Sequence, residues 1–272
     1  MKEIEVDGTD VPALGLGTWQ SKGGECEKAV RKALNLGYRH VDTAQVYGNE
    51  KEVGRGIEAS EVDREEIFLT TKVWRDSLDP EKLKQSVEES LEMLQTEYVD
   101  LLLIHWPFPD LDLEGALREM EDLVDEGKTR RIGVSNFTAG QLDRAREISD
   151  ATIFTNQVEY HPFLDQSRLL ERCRETDTVL TAYSPLARGE VLGNDTLKEI
   201  GERHGKSPAQ VALRWHLQQD MVAAIPKATG EKHIEENLDV FDFRLTEDEI
   251  QTIHGLARDD RKVDPEFAPD WD

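Results

Sequence analysis

The chain has 272 residues, 38% of them hydrophobic, which suits the length of one α/β barrel (~250 residues) and supplies a proper core. Its 57 Asp plus Glu outnumber 33 Lys plus Arg, and a net charge of −24 repels nucleic-acid phosphates and anionic membranes, excluding both as partners. No apolar run reaches the ~18 residues of a membrane span, the opening MKEIEVDGTD has no signal-peptide pattern, and Cys26 and Cys173 form no metal or redox motif. A reduced, cytoplasmic setting is therefore expected, with both thiols packed inside helices. The acids are spread through periodic segments rather than blocked, so they read as an acidic, hydrated surface on a folded protein, of the kind halophilic cytosolic proteins carry.

In chain order, residues 3–12 predict a β-hairpin that plugs the bottom of the fold. Short β-rich apolar runs follow at 13–18, 40–44, 67–73, 99–105, 131–136, 155–160, 179–184 and 222–227, as expected of strands buried on both faces. Amphipathic helical patterns alternate with them, starting near Gly24, Asn49, Pro80, Leu113, Thr138, Asp165, Ser207 and Glu231. Asp79-Pro80 and Ser207-Pro208 place a cap before a proline at the first helical position, and Gly37 and Gly127 mark helix ends. Two additional helices are expected at 195–204 and 246–256. Eight strand–helix units without a linker imply one domain over residues 1–272, an α/β protein built as a single (β/α)8 TIM barrel. A doubly wound sheet shares the alternation, but its dinucleotide fingerprint fails here: Gly15-Leu16-Gly17 is followed by Gln20 where a third glycine belongs.

In such barrels reactive side chains sit at the C-terminal ends of the strands. Four stand out: Asp42 ends the second strand, Tyr47 lies in the loop after it, Lys72 ends the third, and His105 ends the fourth. A buried lysine needs a partner, and Asp42 is the nearest acid on the neighbouring strand. Reduction of a carbonyl leaves an alkoxide that must be protonated. A phenol titrates near ~10, so the set reads as Tyr47 the proton donor, Lys72 lowering its pKa, Asp42 holding Lys72, and His105 polarising the carbonyl.

The run GYRHVDTAQVYGNEKEVG (37–54), Lys72 in TTKVW, His105 in LLLIHWP and GKTRRIGVSNF (127–137) together resemble the signatures of the aldo-keto reductase superfamily, over nearly the whole chain. The resemblance implies NAD(P)H-dependent reduction of small aldehydes or ketones, with the cofactor lying across the barrel mouth. Gly17, Thr18 and Asp42 would border it, Ser135, Asn136 and Gln157 would bind the nicotinamide carboxamide, and Tyr183 would stack on the ring. Ser184 and Leu186 match the loop over the pyrophosphate. Lys227, Thr229, His233, Glu236 and Asn237 match the adenosine end, although Ala228 and His233 depart from the usual Ser/Thr and Arg. The implied cofactor is NADPH, with NADH also accepted. Trp19, Trp74 and Trp106 would line the substrate pocket with Tyr47 and His105. The loop after His105 and the tail RKVDPEFAPDWD are short, so an open pocket is expected, as in the short-loop prokaryotic branch of 2,5-diketogluconate and aldehyde reductases. The resemblance leans towards a monomer, and His161-Pro162 is read as structural, with no metal. The alternative on the same fold is a cofactor-binding, redox-sensing regulatory subunit with little turnover.

Overall fold

The computed structural model describes residues 2–271. Strands β1 (Glu3–Val6) and β2 (Thr9–Pro12) pair antiparallel around Asp7-Gly8, both left-handed at φ 50° and 70°, the geometry that a two-residue hairpin turn requires. Arg131 ties this hairpin to the N-terminal ends of the main strands, donating to Thr9 Oγ1 (2.9 Å) and the Asp7 carbonyl (2.7 Å).

Eight further strands follow: β3 (Leu16–Gly17), β4 (His40–Asp42), β5 (Phe68–Val73), β6 (Val99–Ile104), β7 (Thr129–Ser135), β8 (Ile153–Glu159), β9 (Val179–Tyr183) and β10 (Val222–Ala224). All are parallel and lie in sequence order in one curled sheet, consistent with the (β/α)8 arrangement. Its two edges are hydrogen-bonded to each other, Gly15 N–H to the Ala224 carbonyl (2.9 Å) and Ala224 N–H to the Ala13 carbonyl (2.8 Å). Gly17 permits that approach, since a Cβ there would stand 2.6 Å from the Ile225 carbonyl oxygen.

The connections are α1 (Gly23–Leu36), α2 (Glu50–Glu58), α3 (Pro80–Leu94), α4 (Leu113–Asp125), α5 (Ala139–Ile148), α6 (Ser167–Glu175), α7 (Asp195–His204) and α8 (Pro208–Gln218). After β10 come α9 (Glu231–Leu238) and α10 (Glu247–His254). The local chemistry explains their bounds. Asp79 accepts from Glu81 N–H ahead of Pro80, and Thr138, Ser207 and Thr246 each form a reciprocal cap with Gln141, Gln210 and Glu249. Gly37 ends α1 at φ 113°. Ser207 caps the proline-led α8 as expected, Thr138 likewise caps α5, and α6 begins two residues beyond Asp165, whose carboxylate accepts from Ser167 N–H (2.8 Å). The expected strands 13–18 and 222–227 shorten to two and three residues of regular ladder, because the sheet edges meet through isolated bridges.

Strands β5, β6 and β8 are buried along their whole length, so the apolar runs lie in a core packed on both sides. Cys26 and Cys173 are buried on α1 and α6, and burial pushes their thiols up to about 11 and about 12.

Candidate active site

The ends of β4, β5 and β6 bring four reactive side chains together. Lys72, fully buried near the end of β5, donates to Asp42 Oδ1 (2.6 Å), the Thr43 carbonyl (2.8 Å) and the Tyr47 hydroxyl oxygen (3.4 Å). Tyr47 sits on a single 3-10 turn, Gln45–Tyr47, closed by left-handed Gly48. Because its oxygen accepts from Lys72, its own hydrogen is left to point elsewhere. His105 directly follows β6; its ring lies edge-on to Tyr47 (5.7 Å) and Trp74 (5.2 Å).

Electrostatics modify the expected tuning. Burial holds the Tyr47 phenol well above its ordinary value, and the Asp42 carboxylate pushes it the same way. The expected lowering by Lys72 does not dominate, because that ammonium is dehydrated and already engaged by Asp42. Burial and the nearby Lys72 charge hold His105 well below its ordinary value, so its imidazole is neutral at pH 7. The site therefore keeps a protonated phenol beside a neutral imidazole.

The ends of β7, β8 and β9 supply a polar chain that reaches these groups. Gln157 donates to Asp42 Oδ2 (2.7 Å), so both carboxylate oxygens are occupied. Ser135 Oγ donates to the Gln157 carbonyl (2.7 Å), and Asn136 Nδ2 donates to Ser135 Oγ (3.1 Å) and the His105 carbonyl (3.0 Å). Tyr183 donates its hydroxyl hydrogen to Asn136 Oδ1 (2.8 Å). Thr18 Oγ1 donates to the Asp42 carbonyl (2.9 Å).

These groups border a cavity of about 1100 Å³, roughly the upper limit of ordinary small-ligand pockets. Its walls hold Gly17, Thr18, Trp19, Asp42, Tyr47, Trp74, His105, Trp106, Ser135, Asn136, Gln157, Tyr183, Ser184, Leu186, Lys227, Thr229, His233, Glu236 and Asn237. Of the residues expected from the sequence, Lys72 alone is outside that lining, beneath the floor. In the same lining Lys227 is exposed, and His233 Nδ1 lies 3.3 Å from Glu236 Oε2.

Sequence reasoning missed two parts of the wall. Arg188, left-handed like Gly189 after it, lies over the Trp19 ring (5.2 Å), and Lys22 also lines the cavity. The second is the tail. Expected to be too brief to matter, it supplies Lys262, Val263, Asp264, Pro265 and Phe267 to the cavity. Phe267 packs on Phe108 (5.1 Å) and Trp106 (5.4 Å), with Trp271 6.2 Å from Trp106. Short as it is, the tail thus forms part of the cavity wall, and its two aromatics, Phe267 and Trp271, were the available signal. His161 is fully buried, with Nε2 3.0 Å from Glu159 Oε1.

Residues 13–258 match the aldo/keto reductase family. The chain belongs to that family. It is 45% identical over 255 residues to a 9,11-endoperoxide prostaglandin H2 reductase of Trypanosoma cruzi, covering 92% of this chain and 89% of that protein. It is 43% identical over 256 residues to a glyoxal reductase of Bacillus subtilis, covering 94% and 92%. A crystal structure provisionally named as a 2,5-diketo-D-gluconic acid reductase B superposes with a TM-score of 0.98 at 46% identity, over 100% of this chain and 98% of that one. The protein is accordingly an oxidoreductase that reduces aldehydes and ketones, in a family that uses nicotinamide cofactors. Among the described residues no helix is long and apolar enough to cross a membrane.

Proposed function

We propose that this aldo/keto reductase reduces small aldehydes and ketones with NADPH, accepts NADH as well, and uses Tyr47 as its proton donor. The observation that carries the reading is the Tyr47 hydroxyl 3.4 Å from a Lys72 ammonium that Asp42 holds at 2.6 Å, at the floor of a cavity shared with His105. The donor set suits a nicotinamide dinucleotide. Ser135, Asn136 and Gln157 would hold the carboxamide and Tyr183 the ring face, with Ser184, Leu186 and Arg188 beside the pyrophosphate and Lys227 at the adenosine end. Bound there, the reduced cofactor supplies the hydride.

The protein's part is to place the carbonyl and protonate it. Tyr47 gives its hydrogen to the carbonyl oxygen as charge develops there, and the Lys72 ammonium stabilises the phenolate left behind. Asp42, braced by Gln157, keeps Lys72 charged and in place. Neutral His105 has a buried, unpartnered Nδ1, so we assign its proton to Nε2, which donates to the carbonyl oxygen. Exposed His233 in place of the family's arginine weakens the grip on a 2′-phosphate, which supports relaxed cofactor choice. The edge-to-edge hydrogen bonds support reading the chain as one closed barrel domain, membership of the family supports a monomer, and the −24 charge supports a salt-rich cytoplasm.

The test is turnover of NADPH and NADH with a panel of short aldehydes and keto-sugars in high KCl, with Tyr47→Phe alongside. Expected is a loss of ~10²-fold or more in kcat with cofactor still bound. A kcat/KM ratio between the cofactors above ~10³ would refute relaxed preference. Tight cofactor binding without turnover by the wild type would favour the regulatory-subunit reading.

A further inference from the structure

Residues 255–271 contain no helix or strand, yet they build one wall of the cavity. A segment without its own ladder must find partners for its backbone N–H groups elsewhere. Here a buried carboxylate takes two in succession: Lys262 N–H donates to Glu159 Oε1 (2.7 Å) and Val263 N–H to Glu159 Oε2 (2.8 Å). Glu159, the last residue of β8, is fully buried. His161 completes the arrangement. Its Nδ1 accepts from Phe163 N–H (3.3 Å), so Nε2 carries the hydrogen and donates to Glu159 Oε1. Just upstream, the Phe163 carbonyl accepts from Arg258 and Asp260 N–H, each at 3.1 Å. Four residues beyond the Glu159 clamp, Phe267 meets Trp106 and Phe108.

We propose that Glu159 is a positioning residue for substrate selection. It clamps residues 262–263 so that Phe267 closes the wall over Trp106, and it thereby sets the affinity for carbonyl compounds large enough to touch that wall. The same strand presents Gln157 to Asp42 and Glu159 to the tail, so one element braces both the proton-donating machinery and the pocket wall. The inference rests on the carbonyl-reductase reading above.

In Glu159→Gln the amide retains one acceptor and turns an N–H group towards a backbone N–H. The expected result is a KM for a bulky aromatic aldehyde raised ~10-fold or more, with kcat and cofactor Kd within ~3-fold and the KM for a two-carbon aldehyde unchanged. Phe267→Ala should give the same split. The double variant should be no worse than the worse single, because both act through one contact. Multiplying effects, or an equal loss for small and large substrates, would overturn the proposal. Hydrogen exchange supplies a readout independent of turnover and of the variant's folding: the Lys262 and Val263 amides of the wild type should be strongly protected, and rapid exchange there overturns the clamp. Absence of wild-type turnover would instead strike the reductase reading.

Discussion

Each end of the strand array buries an aspartate against cations, and the two are used differently. At the mouth, Asp42 takes the Lys72 ammonium on one oxygen and Gln157 on the other. At the bottom, Asp100 near the start of β6 takes Arg64 (2.8 Å) and Leu69 N–H (3.0 Å) on Oδ2, with Arg130 3.4 Å from Oδ1. Both guanidiniums also lie over the Tyr98 ring, at 4.3 and 4.2 Å. The bottom cluster closes on itself and borders no part of the large cavity. The mouth cluster leaves one cation beside a tyrosine hydroxyl whose hydrogen is free to be given away. Burial and pairing are common to both. What separates a reactive site from a brace is the group still within reach once the pair is satisfied.

The largest expected effect comes from cutting each pair in turn. Asp42→Asn leaves the Lys72 ammonium buried without its counter-charge, which should cost about 3–5 kcal/mol of stability and lower kcat by ~10²-fold or more. Asp100→Asn should also destabilise, but less, because Arg64 and Arg130 reach water. Its kcat per folded molecule should remain within ~3-fold of wild type. Urea unfolding and active-site-normalised kinetics of the two variants decide the matter; comparable kcat losses would break the distinction between the two ends.

A smaller effect lies in pH. Burial and Asp42 hold Tyr47 above its ordinary value, while burial and Lys72 hold His105 below its own. Both groups are thus in their working forms across neutral pH, and kcat/KM for reduction should be flat upward from about pH 6.5 until the Lys72 ammonium, which burial holds below its ordinary value, begins to lose its proton. For stability the sign follows from proton uptake. Between the depressed folded value of His105 and ~6.5, the unfolded chain binds a proton that the folded one refuses, so stability is full above 6.5 and falls as pH falls through that window. Burial depresses His40 in the same sense. The urea midpoint should drop from pH 7.5 to pH 5, and His105→Gln should flatten that drop. An unchanged slope in the variant would remove His105 as a cause.

Much of this organisation is legible in the order of residue types. Short β-rich runs with few charges mark β5, β6 and β8, whose faces are both buried, and Asp42, Lys72 and His105 stand out as polar groups where such runs end. The Asp-Gly turn and the Ser-Pro and Asp-Pro caps declare themselves locally. Other features depend on contacts between distant residues. The Gln157–Asp42 bond spans 115 positions, and the closure through Gly15 and Ala224 leaves no regular ladder to read. The direction of the Tyr47 shift depends on how much water the fold removes, which residue spacing does not encode. The tail has no period at all; its course is dictated by Glu159, a carboxylate about a hundred residues upstream that looks from sequence like an ordinary strand end.

Salt gives the mildest test and separates interior from surface. Screening shortens the reach of exposed charges to roughly 3 Å at 1 M and leaves buried pairs little affected. A chain of net charge −24 repels itself in dilute buffer, so its urea midpoint should rise between low and molar KCl. Arg75 pairs at the surface with Asp110 (2.8 Å), both side chains largely exposed, and the destabilisation by Arg75→Gln should shrink in the same titration. The penalty of Asp42→Asn should hold constant, since no ion reaches a pair whose side chains are 0% and 2% exposed. A midpoint that stays flat would overturn the high-salt reading of the acidic coat. An Asp42→Asn penalty that fades with salt would show instead that water and ions enter the floor of the site, and the dry environment invoked for Tyr47 and His105 would have to be abandoned.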